Sequence, residues 1–191
     1  MQEIEIFYPA DTRAWREWLI ENHHTKQAVW IAFHKKSSEK KSITWSEAVD
    51  VALCFGWIDS KKISIDNETS HQYFSKRKPK STWSKINKQK VLNLIDSGLM
   101  HDAGHKSIEI AKENGSWTLL DEVEELIIPK DLDVAFATKL HAKEFFLSLS
   151  KSVKKAILQW IILARQPQVR QKRITEIVES AEQNLKPKHL R

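Results

Sequence analysis

The apolar residues of this chain change their spacing near residue 80, and that change restricts the fold more than any other feature. Before it, short alternating or continuous apolar runs, as strands require, are interleaved with helical patterns; after it, only the helical period remains. Glu3 to Tyr8 alternates polar and apolar residues up to Pro9, and Val29 to Phe33 is a short apolar run; both predict strands. Between them, Asp11 or Thr12 can cap a helix that carries Trp15, Trp18 and Leu19 on one face. A polar Lys/Ser loop is expected over Lys35 to Ser42. Thr44 and Glu47 have capping-box spacing, which predicts a helix to Phe55 with Val49 and Leu53 inward and Gly56 as its stop. Ile58 to Ile65 and Gln72 to Lys78, joined across Asp66, Asn67 and Glu68, predict a hairpin-like pair.

Ser81 is the expected cap of the next helix, running to Ser97 with Gly98 as its left-handed stop, and another helix is expected from about Asp102 to Gly115. Asp121 to Glu125 supplies four acids in five residues, and Pro129 follows, so a boundary is placed there. Beyond it Val153, Ile157, Trp160, Ile161 and Ala164 keep helical spacing, as do Ile174, Ile177, Val178, Ala181 and Leu185 after Pro167. The expected class is α+β: a small antiparallel or mixed sheet covered by helices, followed by a C-terminal helical hairpin region. The expected division is an α+β domain over 1–118, an acidic linker over 119–130 and a helical region over 131–191.

Charge narrows the functional classes. The net charge is +6, and seven cations (Lys76, Arg77, Lys78, Lys80, Lys85, Lys88 and Lys90) fall between Ser70 and Ile95 with no Asp or Glu among them. That segment holds the whole excess, which suggests a local positive field able to attract an anion or nucleic acid. A Lys-rich hairpin and solvated helix face is the alternative. The amino end lacks the basic start and apolar run of a signal peptide, and no apolar run is of spanning length, so no membrane association is expected. Cys54, the sole cysteine, permits no intramolecular disulfide; a reducing, cytoplasmic setting is expected, with no cofactor and no structural metal.

Rings and cations interleave from Phe74 to Asn87, and Trp57, Tyr73, Phe74 and Trp83 could offer faces to flat anions while Lys76, Arg77, Lys78, Lys80, Lys85 and Lys88 hold phosphate. Trp83 is equally placed, with Ile86, Val91 and Leu94, on an apolar helix face. Ser84 and Asn87 lie beside it, Asn87 as either a satisfied amide or a ligand group. Asp59 follows Trp57 and Ile58 where helix gives way to strand, and its expected partner is Arg77 on the facing strand, as a bidentate pair fixing register or as part of a site with His71 nearby. HDAGH (His101 to His105) departs from the zinc-protease pattern HExxH and offers no evident third ligand. Cys54 sits among apolar neighbours and is expected to be inert. The glycines are isolated, which excludes the usual phosphate-cradling loops, and no GxSxG is present. Arg165, Arg170, Lys172 and Arg173 form a second basic cluster, which the acidic run could neutralise.

Four segments resemble the bacterial YdeI/OmpD-associated, or bacteriocin-protection, family: AxxxALCFGWID at Ala48 to Asp59, FSKRKPKSTWSKIN at Phe74 to Asn87, GLMHDAG at Gly98 to Gly104, and Ser152 to Ile174. The likeness runs through nearly the whole chain, with Arg77, Ser81, Trp83, Ser84 and Asn87 in place and departures at Ser60, Lys76 and Val169. It implies a role in stress or antimicrobial protection and carries no catalytic residue onto this chain. Three functions remain open: an anion-binding module, with nucleic acid as one partner; an enzyme acting on a small phosphorylated or carboxylated substrate near Asp59, Arg77 and Asn87; and a protein adaptor using the C-terminal helices.

Overall fold

The computed structural model describes residues 4–34, 38, 40 and 42–191, with the backbone alone at 140; Glu3 and much of the Lys35 to Ser42 loop lie outside the described residues. The chain divides into two compact units, 1–117 and 118–191.

In the first unit the described elements run β1 (Ile6–Phe7), α1 (Thr12–Asn22), β2 (Ala28–His34), α2 (Trp45–Cys54), β3 (Trp57–Ser64), β4 (Thr69–Lys76), α3 (Lys85–Asp96) and α4 (Asp102–Glu113). The sheet order is β1-β2-β4-β3, with β1 parallel to β2 and the other pairs antiparallel, so the sheet is mixed and the class is α+β. Alternation sets the faces: Val29, Ile31 and Phe33 of β2 and Phe74 of β4 are buried with Trp15, Leu19, Leu53 and Trp57 in one core. The indole of Trp15 donates to the Ala48 carbonyl at 3.0 Å, tying α1 to α2. Local chemistry starts and stops these elements. Asp11 Oδ1 accepts from Ala14 N at 2.8 Å, and Thr44 with Glu47 closes a reciprocal capping box on α2. The hairpin turn is held by Asp66 Oδ1, which accepts from the backbone of Glu68 and Thr69.

Two glycines position α4. At Gly104 a Cβ would lie 2.3 Å from the Cys54 carbonyl oxygen, and at Gly56, where φ is +70°, it would meet Ser107 and Ala103. Only glycine lets the first turn of α4 press against the chain reversal between α2 and β3. The backbone N–H of His101 then donates to Cys54 O at 3.1 Å.

Helix α3 begins later than its sequence suggests. Ser84, not Ser81, is the cap, accepting from Asn87 N at 3.2 Å, because Lys78 to Ser81 is spent on a turn and Trp83 enters the core before the helix starts. Trp83 therefore shares no helix face with Ile86, which is exposed.

The second unit is helical: α5 (Asp121–Glu124), α6 (Lys130–Ala137), α7 (Leu140–Ser148), α8 (Lys151–Ile162), α9 (Pro167–Glu182) and a short 3-10 turn at Lys188–Leu190. The α8 and α9 pair is the expected hairpin, but α9 also packs on α6 and α7, and the core is built from Leu132, Phe136, Phe146, Ile157, Leu158, Ile161, Ile174 and Ile177. Ala164 and Leu185 fall beyond the ends of α8 and α9. The acidic run is no spacer. It folds as α5 because Leu120 and Val123 are buried in this core, and Glu124 pairs with Lys155.

A cationic cleft with unpartnered donors

The reversal from α2 to β3, the end of β4 and the first turns of α4 enclose a cleft of about 530 Å³ in the first unit. Arg77 lies just past β4, where its N–H donates to Gly56 O at 2.9 Å and where Lys76 Nζ reaches the His24 carbonyl at 2.9 Å. Pro79, two residues on, is held by Asn114 Nδ2, which donates to its carbonyl at 2.8 Å. The segment carrying Arg77 is thus tied at both ends.

Its guanidinium is oriented by two contacts. The carbon Cζ stands 3.7 Å from the centroid of the Trp83 ring, and Nη1 donates to the Thr82 carbonyl at 2.8 Å. Nε and Nη2, the donors along one edge, are enclosed and have no hydrogen-bond partner among the described residues. Burial pulls the Arg77 pKa down to about 10, against a smaller opposing pull from Asp59. The group is charged at neutral pH.

Three further nitrogens share this condition. Trp57 and Trp83, each 1% exposed, line the cleft with indole Nε1 unpartnered, and so does His23, 5% exposed, with Nε2 unpartnered. The Nδ1 of His23 lies 2.7 Å from the Leu19 carbonyl, an acceptor, so the ring holds its proton on Nδ1. His101 caps α4, its Nδ1 accepting from Ala103 N at 3.2 Å, and stacks on Phe55 with centroids 4.7 Å apart. Burial, then the neighbouring charge of His23, holds its pKa below the ordinary histidine value. Among charged lining residues Lys76, Arg77, Lys78 and Lys106 face one carboxylate, Asp102.

Of the candidates named from sequence, the cleft gathers Trp57, Lys76, Arg77, Lys78 and Trp83. It leaves out Asp59, Tyr73, Lys80, Ser84, Lys85, Asn87 and Lys88. The expected Asp59–Arg77 pair does not form: Asp59 sits opposite Phe74 and accepts from Trp45 Nε1 at 2.9 Å and Gln72 Nε2 at 3.0 Å, inside a different cleft. Trp57 and Trp83 are core residues whose faces are covered, and Tyr73 packs edge-on against Trp30, so the expected platform for stacked bases is not assembled. Ser84 is spent on its cap. Lys88 lies over Trp117, and Lys90 pairs with Asp50. His101 Nδ1 is spent on the α4 cap, His105 is exposed, and no group of three metal-ligating side chains is found among the described residues. Burial raises the Cys54 thiol pKa. His23, His24, His101 and Lys106 were not legible as a group, being brought together only by the approach of α4 that the glycines allow.

Fold and cleft define a two-unit protein in which an α+β unit carries a cationic cleft and a helical unit follows. Residues 7–107, a little over half of the chain, match the family model described as "Domain of unknown function (DUF8412)", and the chain belongs to that family. Residues 125–184 match the model described as "Bacteriocin-protection, YdeI or OmpD-Associated". The resemblance read from sequence over nearly the whole chain is therefore matched by that family over the helical unit only. No curated protein and no solved structure matches the chain. No helix among the described residues is long and apolar enough to cross a membrane.

Proposed function

We propose that the first unit is a binding module for a small anionic ligand, gripped by the free edge of Arg77. The observation that carries this reading is the state of that guanidinium: ring face packed, Nη1 satisfied, and the Nε/Nη2 edge buried without a partner on a residue that lines a cleft. That edge is the geometry that takes two oxygens of one carboxylate or phosphate. Buried donors without acceptors cost roughly 1–3 kcal/mol each, so an oxyanion that satisfies several of them gains what the fold has left unmet. The cleft volume suits a metabolite-sized molecule. A nucleic-acid strand would need the cations to form a track with open rings. Here Lys76, Arg77 and Lys78 line the cleft, with Lys76 Nζ held by the His24 carbonyl, while Lys90 is spent on Asp50.

The test is titration with acetate, inorganic phosphate and a short single-stranded oligonucleotide at constant ionic strength, followed by tryptophan fluorescence, for the native chain and Arg77→Gln. Saturable binding of a small anion, weakened at least tenfold by the substitution, is expected. Equal affinity in both proteins overturns the proposal, as does binding confined to the oligonucleotide. The protective role carried in the description of the family matched by the second unit comes to this chain as part of the same proposal: deleting the gene would raise sensitivity to bacteriocin, and unchanged sensitivity would remove that part.

A further inference from the structure

We infer that the ligand of this cleft is a phosphomonoester, a phosphate carried on a small organic group; the inference rests on the anion-binding reading and narrows it. Three features separate phosphate from the other oxyanions. The first is donor count. Arg77 Nε–H, the two hydrogens on Nη2 and the indole N–H groups of Trp57 and Trp83 are five unpartnered donors on residues that line the cleft, before any lysine is considered. A carboxylate offers about four lone-pair sites on two oxygens, whereas the three terminal oxygens of a phosphomonoester offer about six. The second is charge. Lys76, Arg77, Lys78 and Lys106 against Asp102 leave a surplus that one carboxylate does not balance, and the amino end of α4, a 12-residue helix, adds its partial positive charge.

The third is His23. With Nδ1 turned to the Leu19 carbonyl, its Nε2 is a further buried nitrogen without a partner on a residue that lines the cleft. A phosphomonoester, whose second ionisation lies near pH 6, keeps a P–OH in part of its population and can meet Nε2 as donor or as acceptor, whereas sulfate, which carries no proton near neutral pH, can only accept. The cleft is several times larger than inorganic phosphate requires, and Phe55, Pro79, Ala103 and Ile110 supply apolar wall for an organic group.

The experiment compares phenyl phosphate, inorganic phosphate, sulfate and benzoate by tryptophan fluorescence or calorimetry at fixed ionic strength and pH 6.5, with the native chain, Arg77→Gln and Trp83→Phe. Phenyl phosphate is expected to bind at least tenfold tighter than benzoate and tighter than sulfate. Trp83→Phe, which keeps a ring under Arg77 and deletes one N–H, is expected to weaken phenyl phosphate about tenfold and benzoate less. Benzoate or sulfate binding as tightly as phenyl phosphate overturns the phosphomonoester inference and leaves the anion-binding reading intact. Unaltered affinity of every anion for Arg77→Gln overturns that reading itself.

Discussion

Two arginines in this chain are built alike and end differently. Arg170 of the helical unit donates from Nη1 to the Ile161 carbonyl at 3.3 Å and from Nε and Nη2 to the two oxygens of Asp131 at 2.6 and 2.9 Å. Arg77 also gives Nη1 to a carbonyl, that of Thr82, yet nothing among the described residues meets its Nε/Nη2 edge. The electrostatics diverge accordingly. The bond from Arg170 holds the Asp131 carboxyl below the usual carboxylate range and the pairing raises Arg170, whereas burial lowers Arg77. Arg170 is a finished structural pair; Arg77 has the same arrangement without an acceptor among the described residues, which is what the proposed anion site rests on. The comparison teaches that a basic cluster is informative only when its partners are counted residue by residue.

The comparison breaks most readily at the aromatic rings beneath the cations. Arg173 stands 5.0 Å from the Trp160 ring, and that ring is only half buried, while Trp83 is enclosed under Arg77. Trp83→Ala is expected to cost about 3–5 kcal/mol of unfolding free energy and Trp160→Ala clearly less, measured by denaturant unfolding. Equal losses would mean that Trp83 is no more central to its unit than Trp160. Gly104→Ala comes next: the new methyl would be forced against Cys54 O, and overpacking of this kind costs about 1–3 kcal/mol. It should also shift α4 and weaken anion binding. A variant that binds anion normally would show that the approach of α4 does not shape the cleft.

Removing the arginines themselves should move stability in opposite directions. Arg170→Met strands Asp131 and is expected to destabilise by about 1 kcal/mol. Arg77→Met deletes a partly buried charge whose outer edge has no partner, and in anion-free buffer it is expected to leave stability unchanged or raise it by up to about 1 kcal/mol. A large loss for Arg77→Met would make Arg77 a structural residue like Arg170.

The smallest effect is in acid. Because the Asp131 pKa is lowered in the folded state, its contribution is present above the ordinary carboxylate pKa, about 3.9, and is lost as pH falls through the folded value. Asp131 is largely solvent-accessible, so the contribution is below about 1 kcal/mol. Asp131→Asn should flatten the stability profile below about pH 4, and an unchanged acid limb would contradict the pairing.

What could be read from the residues was local. The Thr44–Glu47 box, the Asp66 turn and the stops at Gly56 and Gly98 each depend on chemistry within a few positions, and the structure shows them where they were expected. The Ser81 cap misled because Ser81 and Ser84 are chemically equal candidates, and the choice between them is made by Trp83 entering the core. Helices α6 and α7 are short, and their buried residues, such as Leu132 with Phe136 and Ala142 with Phe146, repeat only once, which is too little for a period to stand out. The site was half legible. Arg77 and its lysines stood out as a charge run, but Asp59 was assigned to Arg77 by strand adjacency, and the bulge between Asp59 and Lys62 together with Trp45 and Gln72 claims it instead. His23 and His101 reach the cleft through tertiary packing between segments far apart in sequence, which no local pattern encodes.

The central claim is that the free edge of Arg77 is a ligand contact, and nitrogen-detected magnetic resonance reads it directly. With the Arg77 Nε–H and the indole N–H signals of Trp57 and Trp83 assigned, titration with phenyl phosphate at constant ionic strength should move all three along one saturable curve, while the Arg170 Nε–H, already bonded to Asp131, stays fixed. Movement of Arg170 alongside Arg77, or no saturable movement at Arg77, would contradict the account.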